Sequence, residues 1–462
     1  MKNIFYLLLA VLLVGFSACE DRLEIEPEQD LSTEAAFDNE LAARASLTGA
    51  YGRILFLDVF GAMPQIIADF QADNVNFIGS FPTLQAINNS SVLADNTSIG
   101  AIFRDHYRAI LAANAVIDRV PGVDDPGFSE AEKAQVIAEA KFIRAIVNFS
   151  LVNLFAQPYT YDNGASPGIA IVTAPDVLDG NFVFPARSTV AEVYAAIEND
   201  LLEALPDLPE VNGRTRASVG AANGLLSRLY LYKDDNVNAA ERALMVIEEG
   251  NYALAPNYNF YNQLTPETIF DVAMTAADNS RTGSGGWASF YNPAEAGARG
   301  DCPFSQDLLD AFEDGDRRFE DLHQLNPAGT LVYTTKFPDA TTNSDNAPMI
   351  RITEMYLNRA EALAKIANGV DGEALDIINT LRDRAGLDPF ESSDFADGND
   401  FLMTILDERR KELCFEGHRR MDLLRNGLPI INGLMPGDNQ TVMPIPVREI
   451  DLGSSLPQNP GY

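Results

Sequence analysis

The 462-residue chain has little of what most catalytic or redox proteins depend on: three cysteines, three histidines and a single tryptophan. Cys302 and Cys414 are far apart in sequence and neither has a Cys-x-x-Cys partner. They read as two lone buried thiols, with a pairing between them left open. His106, His323 and His418 show no metal-ligand spacing. Gly283-Ser-Gly-Gly286 lacks the Lys-Ser/Thr of a phosphate loop. Neither a Gly-x-Ser-x-Gly elbow nor a His-Glu-x-x-His helix occurs. No Asp-x-Asp-x-Asp-Gly pattern supports calcium. No cofactor is expected. Positive charge is also scarce, with 33 Lys and Arg against 67 Asp and Glu and a formal net charge of −34. Such a surface repels nucleic acid and anionic lipid, so nucleic acid is excluded as a partner. Among so many carboxylates a glycosidase pair could always be nominated, and the nomination would carry almost no information.

What is present is apolar content enough for a large core, 46% of the residues. The only long apolar run is Ile4 to Phe16, about 13 residues and too short to span a bilayer. It follows Lys2 and ends at Phe16-Ser17-Ala18-Cys19, which resembles a lipobox, although Phe16 stands where Leu is usual. On that reading residues 1–19 are a lipoprotein signal peptide and Cys19 becomes an acylated N-terminus. Each buried methylene adds about 0.8 kcal/mol, so several chains anchor stably. Residues 20–32, polar and acidic with Pro27, read as a tether.

Helical spacing dominates from there. Expected helices cover 34–51 (capped by Ser32-Thr33, with Leu41, Ala45 and Tyr51 inward), 102–120, 129–155, 190–205, 215–232 and 238–249. Residues 69–98 interrupt the pattern with a long irregular segment holding Asp73, Asn74, Phe77 and Phe81. Such loops are commonly functional. Residues 251–348 form a loop-rich excursion with short strands at 269–275 and 331–337. Trp287 sits there behind four residues, 283–286, of which three are glycine, with Tyr291, Asn292, Asn279 and Arg281 nearby. Aromatic faces stack on the C–H faces of sugar rings while polar neighbours bond hydroxyls. Trp287 therefore reads either as a ligand platform or as a plug that fastens the loop to its scaffold. Phe77 and Phe81 likewise read as loop anchors or as ligand contacts.

The chain is organised around residues 349–427. Ala360, Ala364 and Ala367 form a small-residue stripe on one helix, a second helix runs from Glu373 to Ala385, and a third is expected from Phe401 to Asn426. The third carries Glu408, Glu412 and Glu416 at i, i+4 and i+8, where like charges repel unless cations intervene. Arg359, Arg409, Arg410, Lys411, Arg419 and Arg420 are the expected partners. An ion network that fixes helix docking, built on Arg409, Glu412, Glu416, Arg420 and Arg359, is preferred over a catalytic carboxylate pair.

Two stretches here, Ile-Arg-Ile-Thr-Glu-Met-Tyr-Leu-Asn-Arg-Ala-Glu-Ala and Asp-Glu-Arg-Arg-Lys-Glu-Leu-Cys-Phe-Glu-Gly-His-Arg-Arg-Met-Asp-Leu-Leu-Arg, resemble the signature helices of the SusD/RagB family. These are nutrient-binding outer-membrane lipoproteins of Bacteroidota. The resemblance covers nearly all of the mature chain. It implies a mainly α fold: a tetratricopeptide-like helical-hairpin scaffold (33–250 and 349–427), the loop-rich ligand-face excursion 251–348, a few short strands and an extended end 428–462, all one domain over 33–462. It implies a surface-exposed, non-catalytic protein, lipid-anchored through Cys19 in the outer membrane and facing the cell exterior. There it binds an oligo- or polysaccharide and delivers it to a SusC-like TonB-dependent transporter. Glu20 and Asp21 resemble the surface-export signal of such lipoproteins. By region, the ligand face falls on Trp287, Tyr291, Asn292, Arg281, Asp73, Asn74, Phe77 and Phe81. A peptide-binding member of the family, a secreted glycan hydrolase and a helical scaffold for protein partners are the alternatives.

Overall fold

The computed structural model describes residues 35–173, 185–279, 285–452 and 456–462. Cys19, the segment 20–32, the Ser32-Thr33 cap and Arg281 lie outside them.

The helices begin where side chains satisfy the first free backbone N–H groups. Asn39 accepts from the amide of Ala42 to start α1 (Glu40–Ile54). Ser129 with Glu132, and Thr189 with Glu192, form reciprocal capping boxes for α4 (Glu130–Phe155) and α5 (Val190–Ala204). The other principal helices are α2 (Met63–Phe70), α3 (Thr97–Arg119), α6 (Val219–Tyr232), α7 (Asn236–Glu248), α8 (Ile352–Ala367), α9 (Gly372–Ala385), α10 (Gly398–Leu413) and α11 (Arg419–Arg425).

Neighbours in sequence pack as neighbours in space. α3 lies on α1 and α4, α4 on α5, α6 on α7, α7 on α8, and α8 on both α9 and α10. This is the expected stacking of helical hairpins, in which each pair buries its apolar face only against the next. Close approach needs small residues: a Cβ added at Gly224 of α6 would stand 2.9 Å from Ile350 Cγ2. Ala360 and Ala364 of α8 are buried as their spacing implied.

The excursion hangs from a two-stranded antiparallel ribbon. β1 (Thr268–Val272) pairs with β4 (Ala347–Arg351), Thr268 opposite Arg351, and β4 runs directly into α8. A smaller hairpin, β2 (His323–Leu325) with β3 (Val332–Thr334), lies inside it.

Three expectations change. In α1 Tyr51 is buried as expected, but the rest of the inward stripe is Ala43, Leu47, Ala50 and Ile54, while Leu41 is 80% exposed and Ala45 is exposed. The helix starts at Asn39, and i, i+4, i+7 counted from Ala43 leaves Leu41 on the opposite side. The segment 69–98 is less irregular than its composition implies, because Pro82–Asn88 forms a helix of its own. The third signature helix is broken. Phe415 (φ 66°) and Gly417 (φ 84°) adopt left-handed conformations between α10 and α11, and a Cβ on Gly417 would meet the Gln65 backbone at 3.0 Å.

Candidate functional site: a loop face pinned by a buried ion network

The break after α10 carries Glu416 off the line of Glu408 and Glu412 and gives each carboxylate its own cations. Arg318 Nη1 and Lys411 Nζ both reach Glu408 at 2.6 Å, with Arg382 at 3.1 Å. Arg384 bonds Glu412 at 2.9 Å, and Arg351 lies 3.4 Å from it. Glu416 takes Arg351 Nε and Lys336 Nζ, both at 2.8 Å. Burial would raise these carboxyls, but the guanidinium and ammonium groups outweigh it and hold both Glu408 and Glu412 at about 2. Fully engaged and buried, none of the three has a free carboxylate face. Lys336 also donates to the carbonyls of Glu412 and Cys414, both at 2.9 Å, and so caps the end of α10. Phe260 and Tyr261 lie 5.2 and 5.6 Å from the Arg351 guanidinium, and Tyr261 donates to Glu416 at 2.9 Å.

The network is therefore real, but its cations differ from those expected. Arg318, Lys336, Arg351, Arg382 and Arg384 come from the excursion, β4 and α9; Lys411 alone was anticipated. Arg409 pairs instead with Asp422 at 2.8 Å and donates to Asn358. Arg420 bonds only neutral acceptors: Gln71 Oε1, the Asn153 carbonyl and the Thr441 carbonyl. Arg359 stands apart from this network, largely covered between α7 and α8: it pairs with the half-exposed Glu373 at 2.5 Å and donates to the Ala240 carbonyl at 3.0 Å. His418 is buried; that burial and then the cations Arg228, Arg409, Arg351 and Lys336 push its pKa well below 6.5, so its neutral Nδ1 accepts from Arg409 at 3.4 Å.

Two further arginines tie this core to the first loop. Arg419 forks onto both oxygens of Asp73 at 2.8 Å, and Arg410 donates to the Asp73 carbonyl at 2.7 Å and to Asn74 Oδ1 at 3.1 Å. The pinned loop then runs beside the excursion. The amides of Asn76 and Ile78 donate to the carbonyls of Pro303 and Asp301, each at 2.9 Å, and Ser305 N returns to the Asn74 carbonyl at 3.0 Å. The two regions singled out in the sequence thus meet edge to edge.

Their outer rim is apolar. Ile78 is 49% and Phe81 51% exposed. The Arg299 guanidinium lies 5.8 Å from the Phe81 ring and 4.7 Å from the Phe290 ring, and is neutralised by Asp301 at 2.5 Å. Phe77 is half-buried against Phe70, with ring centroids 4.4 Å apart. Ile78 and Arg299 were missed from the sequence; the signal for Arg299 was a lone cation between Ala298 and Gly300.

Several expected ligand contacts lie in the interior instead. Gly286 (φ 104°) turns sharply against Asn343 and sends Trp287 into the core, where its indole N–H donates to the Phe60 carbonyl at 3.2 Å and its ring packs on Phe337. Tyr291 donates to Asp69 at 2.5 Å; burial lifts the Asp69 pKa to about 7 despite that bond. Asn292 donates to the carbonyls of Ala288 and Phe337 and accepts from Gln324. Asn74 is buried and bonded to Asp69. These four fasten the excursion, so within these two regions Phe81 at the rim, and not Trp287, is the exposed aromatic. Cys302 and Cys414 are free, buried thiols. Among the described residues no cluster of three or more His, Cys, Asp or Glu could hold a metal ion.

Comparison with known proteins places this architecture. A family model described as "SusD family" matches residues 324–436, and one described as "Starch-binding associating with outer membrane" matches residues 22–231. SusD-like protein P25 of Formosa agariphila is 26% identical, the alignment covering 95% of each chain. A SusD superfamily protein of Bacteroides thetaiotaomicron superposes with a TM-score of 0.83 at 28% identity, over 91% of this chain and all of that one. A laminarin-binding SusD-like protein superposes with a TM-score of 0.75 at 25% identity, over 92% of this chain and all of that one. With one model on the early helices, another on the network-bearing helices, and the same fold along almost its whole length, the chain belongs to the SusD/RagB family of carbohydrate-binding proteins.

Proposed function

We propose that this protein is a non-catalytic, surface-exposed lipoprotein of the outer membrane. In this reading it captures an oligo- or polysaccharide on the rim around Ile78, Phe81 and Arg299 and hands it to a SusC-like TonB-dependent barrel. Residues 33–462 act as one unit, and acylated Cys19 is the anchor. The observation that carries the reading is an exposed aromatic, Phe81, on a loop whose root is locked by Arg410 and Arg419. Rigid aromatic platforms lose little entropy on binding and suit the C–H face of a sugar ring. Starch and laminarin, named for a matching family model and for one similar structure, are the glucans to try first.

The test is calorimetry of the soluble form, starting at Glu20, against a panel of polysaccharides and peptides, with and without Phe81→Ala. Binding of a glycan that weakens about tenfold in the variant supports the rim, since an aromatic stacking contact is worth about 0.5–1.5 kcal/mol. Binding of peptides alone, or release of shortened glycan products, would overturn the reading. Labelled palmitate incorporated by the full chain and lost in Cys19→Ala checks the anchor.

A further inference from the structure

The scaffold carries a second concavity, away from the rim residues. It opens where the C-terminus of α8, the N-termini of α7 and α10, and the end of α11 converge, and encloses about 440 Å³. Four amides line it: Asn236, Asn368, Asn399 and Asn426. Its charges are internally balanced: Lys365 meets Asp234 at 3.2 Å and Glu361 beneath at 3.2 Å, and Arg425, which also lines it, is held by Glu361 and by Asp422 at 2.8 Å. Ala364 and Leu402 give the lining small apolar surfaces.

The amides are only partly engaged. Asn236 Nδ2 donates to the Asp234 carbonyl and side chain and Asn426 Nδ2 to the Asp422 carbonyl, while Asn236 Oδ1 is buried without a partner and the exposed side chains of Asn368 and Asn399 bond no protein group among the described residues. Asn368 holds a left-handed conformation (φ 49°) that ends α8, and Gly398 fits against its carbonyl carbon at a distance, 2.9 Å from an added Cβ, that excludes larger residues. The cleft is thus built from two helix ends that interlock and leave their amides facing outward.

We infer that this amide-lined cleft is a second ligand subsite, for a neutral polyhydroxylated molecule such as a segment of an uncharged oligosaccharide. The argument is chemical. A hydroxyl is both donor and acceptor, and a primary amide offers both on one rigid plane. A charged ligand would face a balanced ion pair and gain nothing from it, whereas an apolar one would strand the amides. The volume lies within the roughly 300–1,000 Å³ of small-molecule sites. The inference does not require the rim to be a glycan site.

The test uses the soluble form carrying Phe81→Ala, which weakens the rim, titrated with maltoheptaose, laminarihexaose and cellohexaose. Residual binding is expected for at least one of them. Adding Asn368→Gly and Asn399→Ala should then weaken it about tenfold or more, the loss of two ordinary hydrogen bonds. Glycine keeps the left-handed backbone at 368, and neither side chain bonds another protein group among the described residues, so folding is not at stake. Residual binding indifferent to the two amide changes would overturn the cleft, as would its absence. Binding by the parent chain that vanishes with Phe81→Ala alone would overturn the cleft while supporting the rim. Binding by no form would overturn both.

Discussion

The signature helices and the loop rim use polar and aromatic groups in opposite ways. Around α10 the three glutamates are buried and each answered at least twice: Glu408 by Arg318, Lys411 and Arg382, Glu412 by Arg384 and Arg351, Glu416 by Arg351 and Lys336. At the rim, Phe81 and Ile78 are half-exposed and one guanidinium, Arg299, bridges two rings. The first region determines how the chain docks on itself. The second is left unfinished by the fold. The difference teaches that density of charge in this protein marks structure, and that incompleteness marks the candidate for binding.

Breaking one charge at the centre should show the largest effect. Arg351 serves Glu267, Glu412 and Glu416 at once. Arg351→Ala removes one cation from each of three buried carboxylates, leaving Glu267 and Glu412 to Arg384 and Glu416 to Lys336, and losing one partner of a buried pair costs about 3–5 kcal/mol. Urea denaturation should show at least that loss, and a soluble variant of unchanged midpoint would mean that the network contributes little.

Acid should reveal the same network as a titration. Glu408 and Glu412, held at about 2 in the fold against 4.5 when free, stabilise the fold fully above pH 4.5 and cease to do so as pH falls through 2. Asp69 has the opposite sign. Raised from 3.8 to about 7, it favours the folded state below pH 3.8 and loses that contribution as pH rises through 7. A urea-midpoint profile against pH should therefore fall on both limbs. Asp69→Asn should flatten only the alkaline one.

The rim should respond in reverse: Phe81→Ala should change stability by less than about 0.5 kcal/mol while weakening glycan binding. A large stability loss would make Phe81 another fastener like Trp287. Arg359→Ala should cost far less than Arg351→Ala. Its partner Glu373 is half exposed and such pairs are worth about 0–1 kcal/mol, to which the bond to the Ala240 carbonyl adds about 0.5–1.5 kcal/mol. A loss as large as that of Arg351 would show Arg359 to be part of the core after all.

The helical scaffold was legible because its signals are local. Ser129 with Glu132 and Thr189 with Glu192 announce helix starts within four residues, and Asn368 and Gly386 announce stops. The need for cations beside Glu408, Glu412 and Glu416 was legible too. Their identity was not, because Arg318, Lys336 and Arg351 arrive from 61 or more positions away. The kink before α11 escaped notice because Phe415 is not a residue that advertises a positive φ; Gly417 alone hinted at it. Trp287 misled in an instructive way. Glycines beside an aromatic suggested a displayed loop, yet Gly286 supplies the turn that tucks the indole inward.

The way the first loop is held has a practical consequence. Asp73 and Asn74 are bolted at one end of the rim, and the Ser305 amide is bonded back to the Asn74 carbonyl. Between those bolts, 75–81 and 294–303 form an exchangeable cartridge. Replacing both pieces together with the matching loops of a relative, and leaving Asp73, Asn74, Ser305, Arg410 and Arg419 in place, should transplant ligand preference without disturbing the frame that carries it.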